Sequence, residues 1–283
     1  MRPGRVKRAS IRDAGQLTRA GLAYILLLMQ PALQTRRQGG ATLREIEPGW
    51  WHLELPQGPA GAYRWAQLDD YLTLARGKFH WTPPLRLELR ARVSAADLPG
   101  TWGFGLWNDP FSASLGLGGA AARLPALPNT AWFFYAGAPN YLAFKEDHPA
   151  QGWLAATFAA PRLPGLLLAP GALALPWLAL PSTGRLLRRA LARLVGESGA
   201  RIPGDPTAWH TYRLDWTAQR VSFALDGLDI FSTPVTPSGP LGLVLWIDNQ
   251  YAAFPPSGKL RMGTSANIGP AWLELSGVNL TQG

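Results

Sequence analysis

Cysteine is absent from the 283-residue chain. Its absence removes disulfides, thiolate metal sites and cysteine nucleophiles together. Lysine is scarce, supplying four of the 27 basic residues. Arginine, alanine, leucine, proline and glycine are abundant together, as a GC-rich coding sequence produces without selection for binding. The net charge of +9 is therefore poor ground for a nucleic-acid partner, and no basic run is interleaved with aromatics on a recognisable module. The four histidines, His52, His80, His148 and His210, are scattered and give no i, i+4 pair of the zinc type. There is no Gly-x-Ser-x-Gly elbow, no Walker or dinucleotide glycine pattern and no calcium loop of the Asp-x-Asp-x-Asp-Gly kind. Glu146-Asp147-His148 precedes Pro149 and reads as an exposed loop. No metal and no cofactor is expected.

What is present points to β-structure. Thirteen tryptophans and 47% hydrophobic residues provide for a packed core, while 31 glycines and 26 prolines favour many turns over long helices. A chain of this length is one large β-domain or two small ones. Residues 1–41 read as a basic extension, disordered or helical, with Met29 an alternative start. Its apolar run Gly21–Met29 is far short of the ~20 residues that span a bilayer, and residues 31–40 offer no small-x-small cleavage site. That favours a cytoplasmic location and leaves an extracellular one open.

From Thr42 the strands begin. Trp50–Leu55 and Tyr71–Ala75 are short and apolar. In Leu85–Val93 (LRLELRARV) the leucines, Ala91 and Val93 face one way and the Arg/Glu set faces the other, the period-two pattern of a strand with core on one side and water on the other. Thr101–Phe111, Asn129–Phe144, Gly152–Phe158, Leu241–Asp248 and Ala271–Leu280 are further strand regions. Gly103 and Gly105 leave the sheet surface open for a ligand or a close neighbour. Leu241–Asp248 is apolar on both faces, which suits a central strand with core behind and a groove in front.

Trp209–Pro234 (WHTYRLDWTAQRVSFALDGLDIFSTP) is the most regular stretch. Tyr212, Leu214 and Trp216 alternate with polar residues, and Val221, Phe223 and Leu225 do so again. Thr217–Arg220 and Asp226-Gly227 supply the two turns of an antiparallel meander. The order Trp209-His210, Tyr212, Leu214, Trp216, Phe223, Asp226-Gly227 resembles a strand pair of family 16 glycoside hydrolases and of the wider concanavalin A-like lectins and glucanases. The resemblance implies an antiparallel jelly-roll β-sandwich over residues 42–283, with residues 161–202 inserted.

It also implies where chemistry should lie. Family 16 enzymes cleave β-glucans with retention, using Glu-x-Asp-x-(x)-Glu on one strand so that the carboxylates share a face. Retention needs carboxyls about 5–5.5 Å apart. By chain order that strand is Thr130–Ala136, which reads TAWFFYA and holds no carboxylate; the acids' places fall on Ala131, Phe133 and Tyr135, or one register away. The leading expectation is therefore a non-catalytic, lectin-like protein binding a glycan or another partly apolar ligand. Trp107, Asn108, Asp109, Trp132, Tyr135, Trp246, Asp248 and Asn249 are its candidate ligand-binding residues. The alternative is a divergent glycoside hydrolase using Asp109 and Asp248, although both also fit turn chemistry.

The insertion supplies a third reading. Pro161–Pro181 is strongly apolar and interrupted by prolines; Gly184–Gly196 (GRLLRRALARLVG) is an amphipathic helix. Leu186, Leu187, Ala190, Leu191, Leu194 and Val195 make one stripe, with Arg185, Arg188, Arg189 and Arg193 opposite. Such a helix can touch an anionic membrane surface through residues 185–195. Packed across the sandwich with its arginines in water, or roofing the cleft as a lid, it needs no membrane.

Overall fold

The computed structural model describes residues 32–110, 123–124, 126–163 and 180–283. The expectations for the basic extension as far as Pro31, and for the apolar run at 164–179, lie outside the described residues. Sixteen strands run through them: β1 (Gln34–Gln38), β2 (Thr42–Glu47), β3 (Trp50–Leu55), β4 (Trp65–Asp69), β5 (Leu85–Val93), β6 (Thr101–Trp107), β7 (Thr130–Ala136) and β8 (Gly152–Ala159) come first. A helix, α1 (Pro181–Leu194), separates them from β9 (Gly196–Arg201), β10 (His210–Trp216), β11 (Val221–Leu225), β12 (Leu228–Thr233), β13 (Gly242–Asp248), β14 (Gln250–Ala253), β15 (Arg261–Thr264) and β16 (Ala271–Gln282). One seven-stranded sheet has the order β1-β4-β13-β6-β7-β8-β9, the other β12-β11-β10-β5-β16-β3-β2. Every neighbouring pair in both sheets is antiparallel. The chain is an antiparallel jelly-roll β-sandwich.

Alternation decides which residues meet between the sheets. β5 buries Leu85, Leu87, Leu89, Ala91 and Val93 and turns its charged residues outward. There Arg86 pairs with Asp215 at 2.6 Å and Arg92 with Glu274 at 2.7 Å. Facing it, the first sheet contributes Trp102, Phe104, Phe133 and Tyr135, among the 36 buried residues of the main core. Phe133 meets Tyr212 and Phe223 edge-on across the sandwich, with ring centres 5.1 Å apart in each pair, a favoured aromatic geometry. Asp226 and Gly227 take the positive φ angles of 51° and 81° that their turn requires.

Three boundaries differ from the sequence reading. β1 lies before Thr42 and pairs with β4, so the sandwich begins inside the expected extension. Tyr71–Ala75 is a turn and no strand: the Asp69 carboxylate accepts from the Leu72 N–H at 2.9 Å and the Leu74 N–H reaches the Tyr71 carbonyl. The strand ends one turn earlier, at Asp69. Finally, the expected insertion ends in β9, an edge strand paired with β8.

α1 also sits differently from either packing expected for it. Gly184 and Arg188 are buried, whereas Leu186, Leu187 and Leu194 are 67%, 36% and 50% exposed. The cause is a close approach at the helix start. A Cβ on Gly184 would lie 1.8 Å from the Gly258 carbonyl oxygen, so only glycine lets the helix touch that turn. This rotates Arg188 inward, where its Nη1 donates to the carbonyls of Ala143 and Phe254, and swings part of the leucine stripe outward. The arginines are therefore not all in water.

Candidate functional site

The face of the first sheet turned away from the core is set by register. Trp246 of β13 lies opposite Gly103 of β6, and Gly105 of β6 opposite Trp132 of β7. Side chains at 107, 132, 134, 158 and 246 therefore share the outer face. The two glycines make the room: a Cβ on Gly103 would lie 2.9 Å from the Phe134 Cβ, and one on Gly105 2.5 Å from the Trp132 Cβ. Into that space fold three indoles. Trp107 and Trp246 are parallel to within 6° with centres 6.5 Å apart, and Trp132 lies 5.3 Å from Trp246 and 6.1 Å from Trp107. All three are half-buried. Leu127, Leu142 and Phe144 from neighbouring loops, and Leu191 of α1, border the same apolar cluster.

Polar groups hold this aromatic floor in place. The Trp246 Nε1–H donates to Thr101 Oγ1 at 2.9 Å, and that hydroxyl donates to Asp248 Oδ1 at 2.9 Å. Asp248 Oδ1 also accepts from the N–H groups of Thr101 and Gln250. Burial pushes the Asp248 carboxyl up to about 7 despite these bonds and the hydroxyl of Tyr63, because desolvation disfavours the charged form. The Tyr63 phenol is raised as well, by its own burial and by the charge of Asp248.

The sequence candidates divide by what their side chains already do. Trp107, Trp132 and Trp246 are brought together on the outer face; Asp248 sits at its edge, buried. Tyr135 points the other way, into the core, stacked on Trp102 at 5.8 Å. Odd-numbered residues of β7 face inward, so the positions on the open face are Thr130, Trp132, Phe134 and Ala136, which carry no carboxylate. Asn108 is spent on backbone, donating to the Leu127 carbonyl and accepting from the Asn129 N–H. Asn249 is wholly buried and staples Arg64 to Ala62 and Ser265. Asp109 has φ 48° and a buried ion pair with Arg123; the same guanidinium donates to the carbonyls of Tyr71, Leu72 and Leu74. These side chains hold turns closed.

Asp109 and Asp248 are also far apart. Trp107 pairs with Gly242, at the opposite end of β13 from Asp248, which pairs with Thr101. Six strand residues at about 3.4 Å each put roughly 20 Å between the two ends, beyond the 5–9.5 Å of glycosidase carboxylate pairs. The other acids near this face, Asp69 and Glu197, are buried. Asp69 pairs with Arg36, and Glu197 accepts from the N–H groups of Phe144 and Lys145. Among the described residues no three His, Asp or Glu side chains gather as a metal site. Sequence reasoning missed Phe134 and Phe158, which flank Trp132 at 5.1 and 6.4 Å. The signal was present in TAWFFYA, but a strand apolar on both faces hides its parity.

The two antiparallel sheets decide the architecture. It is an antiparallel jelly-roll β-sandwich. No protein-family model and no curated protein sequence matches the chain. Solved structures align with the chain at low identity. A legume lectin-like domain from Entamoeba histolytica is 7% identical, with 88% of this chain and 90% of that one aligned at a TM-score of 0.46. A family 16 endo-glucanase from Bacteroides ovatus, in complex with G4G3G-2F-DNP, is 9% identical over 89% and 95% at 0.45. LamAcat from Zobellia galactanivorans is 13% identical over 84% and 79% at 0.43. Likeness of this degree transfers no residue role, so function has to be argued from the site.

Proposed function

We propose that the protein binds a glycan on the outer face of its first sheet and does not cleave it. The observation that carries this is the meeting of Trp107, Trp132 and Trp246, from three adjacent strands, as half-buried rings over two glycines. Indole faces pair with the apolar faces of sugar rings. Support for binding without cleavage comes from the open positions of β7, which carry no carboxylate, and from the separation of Asp109 and Asp248 at opposite strand ends. Retarded migration through gels containing soluble β-glucan or another soluble polysaccharide, without release of reducing ends, is the expected result. Release of reducing ends that survives Trp132→Ala but not Asp248→Asn would instead favour the enzyme reading.

A second reading, contact with a membrane surface, is favoured by α1, which exposes Leu186, Leu187 and Leu194 beside Arg185, Arg189 and Arg193. Among the described residues no helix is long and apolar enough to cross a membrane. Contact would therefore be peripheral, the helix lying in the interface. Equal flotation of wild type and Leu186→Glu/Leu194→Glu with anionic vesicles would dispose of it.

A further inference from the structure

A cavity of about 290 Å³ lies between α1 and the turn at 144–146. Its walls include Arg185, Arg188 and Arg189 of the helix, with Phe144, Lys145 and Glu146 opposite. Four cations thus face one exposed acid. Glu197 adds a buried carboxylate behind the turn, but its Oε2 is taken by the N–H groups of Phe144 and Lys145 at 2.9 and 2.8 Å. Arg185, Arg188, Arg189 and Lys145 have no ion-pair partner among the described residues.

Arg188 is the unusual member. It is 4% exposed, held by the Ala143 carbonyl at 2.6 Å, by the Phe254 carbonyl, and over the Tyr141 ring at 5.1 Å. Among the described residues its hydrogen bonds use Nη1, and Nη2 is buried without a partner. A guanidinium taken out of water without a counter-charge is costly, and breaking or lacking its pair is felt far more than a surface ion pair. Here the fixed charge of Arg188, two exposed arginines on the helix rim and a lysine across the gap border a space large enough for an anionic group and a small organic remainder. Planar guanidinium groups suit phosphate oxygens in particular.

We infer that this cavity is a binding site for a phosphate monoester, with Arg188 as the fixed floor and Arg185, Arg189 and Lys145 as the adjustable rim. The phosphate belongs either to a soluble compound or to a lipid headgroup. The site shares Phe144 with the border of the tryptophan face but does not depend on the glycan reading.

Calorimetry of the full chain with inorganic phosphate, set beside flotation with vesicles of phosphatidylcholine alone or mixed with phosphatidic acid, tests it. Wild type should bind phosphate, and Arg185→Ala/Arg189→Ala should weaken binding by about tenfold or more, two charge-assisted contacts being lost. Arg188→Met, whose fold is checked by circular dichroism, removes the fixed charge and should also weaken binding. Binding of phosphatidic acid vesicles that falls in parallel identifies a headgroup; phosphate binding without it identifies a soluble ligand. No heat with phosphate and no preference for phosphatidic acid, or binding unchanged in the double variant, overturns the inference.

Discussion

Asp248→Asn should change the pH dependence of stability in a defined direction. The folded-state carboxyl is pushed from 3.8 to about 7 by burial. Between those values the unfolded chain has released its proton and the native chain has not. Stability therefore falls as pH rises through this window, and is highest below it. Each pKa unit corresponds to about 1.4 kcal/mol, so full ionisation costs about 4 kcal/mol at pH 8 relative to pH 4. Asparagine removes that cost and keeps much of the geometry. The bonds from Thr101 and Gln250 all end on Oδ1, which an amide oxygen can reproduce, leaving Nδ2 to face Tyr63. Asp70, raised to about 6 by burial, contributes a slope of the same sign in both proteins and cancels in the comparison. Urea unfolding followed by tryptophan fluorescence at several values between pH 4 and 8 gives the difference directly. The variant's advantage should grow with pH toward several kcal/mol. A difference that stays flat across the range, or a variant less stable at pH 8, would refute the reasoning.

Other perturbations probe the scaffold. Asp109→Ala strips Arg123 of its buried partner and should cost about 3–5 kcal/mol, read as a fall in unfolding free energy with the slope against urea unchanged. Phe133→Ala, at the centre of the aromatic core, should cost about 3–5 kcal/mol in the same assay. Gly184→Ala places a methyl against the Gly258 carbonyl and should lose about 1–3 kcal/mol; limited proteolysis would show α1 cut first.

Much of the sandwich was legible in the sequence because its strands carry one wet face. Leu85–Val93 and the meander from Trp209 declare their period through Arg, Glu, Asp and Ser on the outer side. β7 carries no such label, so Tyr135 was placed on the open face although it packs on Trp102. Asn108, Asp109 and Asn249 have the composition of a binding site, yet their partners, Asn129, Arg123 and Arg64, lie 14 to 185 residues away and no local pattern announces them. YLTLA looked like a strand until the Asp69 carboxylate capped it as a turn. The helix at 181–194 was visible from its periodicity, but the side it buries is chosen by the contact between Gly184 and Gly258. A long-range backbone approach of that kind leaves no periodic trace.

The most direct test of the central claim is a glycan microarray probed with wild type and with Trp132→Ala/Trp246→Ala, both shown to be folded. Losing two stacked indoles should weaken binding at least about tenfold to a hundredfold, as for central aromatic contacts elsewhere. The account predicts that wild type is retained by at least one class of glycan and that the double variant loses it. No retention anywhere on the array, or retention undiminished in the variant, would contradict it.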